Sequence, residues 1–128
     1  MAAFVITVFI IGRILLGGYF LYNAYSHFTK TQWLAGYAAS KGVPFAKAGV
    51  IASGVLFALG GISIILGMQM VIGLSALVVA LIPITIKMHA FWKDTDPQVR
   101  MGEQINFFKN CALTGSLLIT IALAFLVL

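Results

Sequence analysis

Ala48–Ile86 decides the fold: AGVIASGVLFALGGISIILGMQMVIGLSALVVALIPITI, 39 residues without a charged side chain. As one helix rising 1.5 Å per residue, it would extend to almost twice the roughly 30 Å of bilayer hydrocarbon. It must turn back on itself. The turn belongs at Gly67-Met68-Gln69-Met70, because glycine supports a helix C-terminus and Gln69 is the only amide in the stretch. Two spans result, near 47–66 and 70–91.

Two more neutral runs flank them. Residues 2–12 and 14–29 carry no charge on either side of Arg13, and Asn110–Leu128 carries none. They supply spans near 3–25 and 106–127. Of 128 residues, 62% are hydrophobic and 9% charged, whereas a soluble domain carries about a quarter charged. A water-soluble monomer and a disordered chain are both excluded. The single Cys111 excludes an intrachain disulfide and a CxxC redox pair. No ten-residue segment alternates apolar and polar as a membrane β-barrel requires. The amino terminus has no basic leader, so it reads as a first span and not as a signal peptide. The expected fold is all-α, an integral membrane four-helix bundle, with 1–128 as a single transmembrane domain.

Charge sets the expected orientation. Lys30, Lys41 and Lys47 flank the first connection, and Lys87, Lys93, Arg100 and Lys109 flank the second. With four spans, both connections share one side. The positive-inside rule puts them in the cytoplasm and both termini outside, in the cytoplasmic (inner) membrane. The net charge of +5 is then explained by anionic lipid headgroups and needs no nucleic acid.

The first connection carries its own pattern. Thr31 is a helix cap, Trp33, Tyr37 and Lys41 recur every four residues, Gly42 ends the run and Pro44 stops it. A short interfacial helix is expected over 32–41, with Trp33 and Tyr37 at headgroup depth and Lys41 facing phosphates. The second connection, 93–103, holds all three acids. It reads as a solvated surface of weak ion pairs in which Asp96-Pro97 starts a turn. Small residues on every span, Gly60-Gly61 and Gly115 among them, should let helix backbones approach. Pro83 should kink the third span and free the Val79 carbonyl, with Thr85 near enough to satisfy that region.

Arg13 is the most expensive residue. About ten residues into the first span, it falls near the bilayer midplane, where it needs an anionic or carbonyl partner. No acid of this chain reaches that depth. Either Arg13 snorkels to the surface, or it receives a partner subunit's carboxylate, a lipid phosphate or a carbonyl-bearing ligand such as a quinone. His27 and His89 both fall at span ends on the basic side, and Asp94 or Glu103 could join them. Their spacing gives no i, i+4 ligand pair, so no metal site is assigned. Trp92 belongs with the interface aromatics. Lys109 is placed to snorkel, and Asn110 opens an apolar helix in which its amide needs a hydrogen-bond partner. No nucleophile triad, phosphate loop or paired-carboxylate site occurs, so no catalytic residue is assigned.

Taken in order, several stretches resemble the DoxX family of small four-helix membrane proteins. They are Gly12-Arg13-Ile14-Leu15-Leu16-Gly17, Lys41-Gly42-Val43-Pro44, Gly60-Gly61 with Leu66-Gly67, His89-Ala90-Phe91-Trp92, and Phe108-Lys109-Asn110 with Gly115. The family often has an acid three residues before the paired glycines, where this chain has Phe57. By depth that acid would lie level with Arg13. The family's basic residue after the first span is replaced here by His27, and Ala24 stands in place of a glycine. The family takes its name from a subunit of a thiosulfate:quinone oxidoreductase. The resemblance therefore implies an accessory or quinone-proximal subunit of a membrane redox complex, with other membrane subunits as partners, and not a stand-alone enzyme. Arg13, His89, Trp92, Lys109 and Asn110 are the candidate residues for binding a ligand or partner. A small-molecule or lipid carrier is the alternative and requires a polar cavity reaching Arg13. A purely structural subunit is the third reading.

Overall fold

The computed structural model describes residues 1–127. The described chain is helical: α1 (Ala2–Thr29), α2 (Thr31–Ser40), α3 (Ala46–Leu66), α4 (Met70–Met88), a single 3-10 turn (Phe91–Lys93) and α5 (Pro97–Val127). Four of these segments are long and apolar enough to cross a membrane. The long neutral stretch doubles back at Gly67, whose φ of 69° is left-handed. The Gly67 and Met68 amides both return to the Ser63 carbonyl, and the Ser63 hydroxyl donates to the Met68 and Gln69 carbonyls. One serine and one glycine thus close the turn.

α1 packs on α3, α3 on α4, and α4 on α5, while α2 folds over α3. Adjacent glycines serve two interfaces at once. A Cβ on Gly61 would lie 2.8 Å from Leu21 and 3.1 Å from the Gly17 carbonyl, and one on Gly17 would meet the Gly61 carbonyl at 3.1 Å. The α1 and α3 backbones are therefore nearly in contact. Gly60, about 100° around the helix, makes room for Leu77 of α4, and Gly73 does the same for Ser63. In lipid, where apolar burial drives little association, such close contact is what holds helices together. Gly12, Gly18, Gly49 and Gly115 face open space, so the expected packing role fails there. Phe20, Phe57, Ile64, Leu74, Leu77 and Leu117 fill the centre.

Several boundaries move. α5 begins at Pro97, nine residues before the expected 106. The Asp96 carboxylate accepts from the Gln98 amide at 2.9 Å and the Val99 amide at 3.4 Å, an N-cap followed by proline in the first helical position. The expected loop is therefore mostly helix. α2 forms as expected, but Lys30 and not Thr31 occupies the cap position. The Thr31 hydroxyl turns back to the His27 carbonyl at 2.6 Å. Gly42 does end α2: its amide bonds to Ala39 and that of Val43 to Ala38, a Schellman closure with φ of 79°. α4 runs through Pro83 as one helix. Thr85 donates to the Leu81 carbonyl, not to Val79.

Candidate functional site

The turn end and the basic end of the bundle hold different chemistry. At the turn end, Arg13 Nε donates to the Ile64 carbonyl at 2.7 Å and Nη2 to the Ile65 carbonyl at 2.5 Å. These carbonyls lie in the last turn of α3, where no later amide accepts the task. The guanidinium caps the helix and sits at the negative end of its dipole. Its plane also lies over the Phe9 ring, 5.4 Å from the centroid. Arg13 thus has carbonyl partners within its own chain, as the sequence demanded. It is level with the α3–α4 turn, however, not halfway along the bundle. Residues 2–12 continue past α3, all exposed. Counting depth from the start of the apolar run misplaces Arg13 because α1 is longer than α3. Phe57 does lie near the middle of α3, but it is not level with Arg13: it sits seven residues, about 10 Å, back along α3 from Ile64.

At the basic end a cavity of about 390 Å³ opens among α1, α2, α3, α4 and α5. Its walls are largely apolar, from Phe20, Leu56, Phe57, Leu81 and Ile84. Tyr19, Asn23 and His27 enter it from α1, and Lys109 and Asn110 from α5. His27 Nδ1 donates to the Asn23 carbonyl at 2.7 Å, and Asn23 Nδ2 donates to the Tyr19 carbonyl at 2.8 Å. The His27 ring stands edge-on to Phe57, with centroids 5.1 Å apart. Two of the three positions where this chain departs from the family pattern, His27 and Phe57, therefore pack together. Lys109 Nζ lies over the Tyr19 ring, 5.7 Å from its centroid. Asn110 is only 4% exposed, and its amide makes no hydrogen bond with the described residues.

Beside the cavity mouth is a polar clasp that the sequence did not reveal. Glu103, 7% exposed, accepts a hydrogen bond from the Tyr37 hydroxyl of α2 and one of 2.5 Å from His89 Nδ1. Lys41 Nζ lies 3.4 Å from Asp94 and 3.8 Å from Glu103, and 5.5 Å from the centroid of the Tyr37 ring. Burial pushes the Tyr37 phenol well above its ordinary range; the Glu103 hydrogen bond and the charges of Glu103 and Asp94 push it the same way. Tyr37 is thus held as a neutral donor. The clasp joins α2 to α5 and to the connection after α4. It also corrects two expectations. Lys41 faces two carboxylates and not lipid phosphates, and the acidic connection is not simply a solvated surface.

Of the five candidate residues, the structure brings His89, Lys109 and Asn110 to the cavity. Arg13 lies at the opposite end. Trp92, half exposed, packs edge-on against Phe91 and Phe107 and does not line the cavity. Among the described residues no three His, Cys, Asp or Glu side chains converge as a metal site. Tyr37 and Glu103 were missed. A signal existed: Glu103, Asn110 and Leu117, the buried residues of α5, are spaced seven apart and so share one helix face.

The family model for DoxX matches residues 8–90. The chain belongs to the DoxX family. No curated protein and no solved structure matches it. The matched DoxX region runs from the second turn of α1 through α4 and includes Arg13, His27, Phe57 and His89. Lys109 and Asn110 lie beyond it. This DoxX protein is therefore an integral membrane protein whose apolar helix faces contact the bilayer.

Proposed function

We propose that this DoxX protein is an accessory, quinone-proximal subunit of a redox complex in the cytoplasmic membrane, with its basic end inside and its termini outside. The observation that carries the proposal is the basic-end cavity. Its largely apolar walls suit an amphiphile entering from lipid, and a few polar side chains interrupt them, the usual composition of small-molecule sites. A quinone offers an apolar ring for the walls and carbonyl oxygens for the Asn110 amide. Electrons would come from partner subunits, since among the described residues no three His, Cys, Asp or Glu side chains converge.

The carrier alternative keeps the cavity but loses its other requirement, because the pocket does not reach Arg13. The test is copurification from native membranes in mild detergent, with mass spectrometry of proteins and extracted lipids. A redox partner or a bound quinone is the expected result. A pure preparation of this chain containing neither overturns the proposal.

A further inference from the structure

All three acids of the chain are engaged outside the cavity. Glu103 is held by Tyr37 and His89, Asp94 by Lys41, and Asp96 by the first amides of α5. No carboxylate lines the cavity, whereas Lys87 and Lys109 both do. Asn110, beside Lys109, is 4% exposed, lines this space and makes no hydrogen bond with the described residues. An amide that faces a largely apolar cavity without a protein partner is free to bond a ligand atom there. Lys109 holds its ammonium over the ring of Tyr19, a wall residue, and no carboxylate opposes it in the lining, so the positive charge at the cavity favours an anionic group there. Its volume, about 390 Å³, is near the lower end of ligand sites and holds one chain with its head.

From this we infer that the cavity selects a single-chain amphiphile with an anionic oxygen head, a carboxylate. The head accepts hydrogen bonds from the Asn110 amide and the Lys109 ammonium, and the chain lies along Leu56, Leu81 and Ile84. The inference uses the same cavity as the redox reading but adds a charge preference that a neutral quinone head does not need.

The test is equilibrium binding to the purified full chain in a non-ionic detergent, with palmitate, its methyl ester, decyl phosphate and a short-chain quinone as probes. Palmitate should bind at least tenfold tighter than its ester. Lys109→Gln and Asn110→Leu should each cut that preference several-fold, and Lys109→Arg should keep it. Decyl phosphate binding comparable to palmitate supports a site for anionic oxygen in general. Equal binding of acid and ester, binding of the phosphate without palmitate, or no binding of palmitate overturns the inference. If the quinone binds and palmitate does not, this inference fails and the redox reading stands. If palmitate binds selectively while neither quinone nor partner protein copurifies, the redox reading fails and this inference stands.

Discussion

At the scale of single residues, Arg13 is explained by what it caps. Its two hydrogen bonds satisfy carbonyls that α3 cannot satisfy itself, and charged hydrogen bonds contribute about 1.5–3 kcal/mol each. Arg13→Met should therefore lower stability in detergent by about 2–4 kcal/mol, read from thermal or denaturant unfolding. Arg13→Lys should recover only part of it, since an ammonium lacks the fork that spans two carbonyls. Gly67 is bound to the same arrangement. Its φ is 69°, and an added Cβ would lie 2.6 Å from Arg13 Nη2. Gly67→Ala should cost more than about 1 kcal/mol from the backbone alone, whereas Gly18→Ala, facing open space, should not destabilise. Tyr37 makes a pH prediction. Its raised phenol pKa means that the clasp's stabilisation is complete below the unfolded value, about pH 10, and is lost as pH rises toward the folded one. The stability difference between the wild type and Tyr37→Phe should be about 1.5–3 kcal/mol at neutral pH and shrink above about pH 10. A difference that grows with alkaline pH would contradict the clasp.

At the scale of elements, the glycines separate helix contact from helix propensity. Gly61→Ala must push α1 away from α3, because one obstacle is the Gly17 carbonyl, which cannot rotate aside. A loss of about 1–3 kcal/mol is expected. Gly115→Ala meets nothing and should stabilise by about 0.5–1 kcal/mol through helix propensity. Equal effects in unfolding experiments would mean that α1 and α3 do not meet at these residues. The sequence shows the same elements clearly wherever lipid dictates them. Neutral runs long enough to cross a bilayer marked four spans, and the turn at Gly67 followed from a length no single helix could use. What stayed hidden depends on relative depth. Arg13 seemed central because α1 was measured against the bilayer and not against α3. Lys41 and Glu103 seemed solvated because, although the seven-residue spacing of Glu103, Asn110 and Leu117 marks one face of α5, nothing in the sequence shows that α2 reaches it. Asn110 was visible as a polar residue in an apolar helix, but only the packing of five helices puts it in a cavity.

At the scale of the whole molecule, charge and length are distributed unequally. Seven of the eight basic residues lie at the end formed by α2, the 3-10 turn and the start of α5; Arg13, the eighth, is spent on α3. α3 is about 31 Å long, close to the hydrocarbon thickness, whereas the 28 residues of α1 reach about 42 Å. Tilt lets the longer helix keep its apolar start within lipid, and it leaves the basic end as the one surface rich in cations. Cations near span ends are retained on the cytoplasmic face, since moving them across the bilayer is opposed by both desolvation and membrane potential. The cavity mouth and the Tyr37–Glu103 clasp would then open toward the cytoplasm, and the Arg13 cap toward the outside. In a Cys111→Ser background, Met68→Cys should react with a membrane-impermeant maleimide added to intact cells, and Thr95→Cys should react only after permeabilisation. Both sites are exposed in the fold, so labelling reports side and not burial. The reverse pattern would place the cavity outside and remove the cytoplasmic route for any redox partner. Equal labelling of both positions would mean that the chain inserts in two orientations, in which case its positive charge does not orient it.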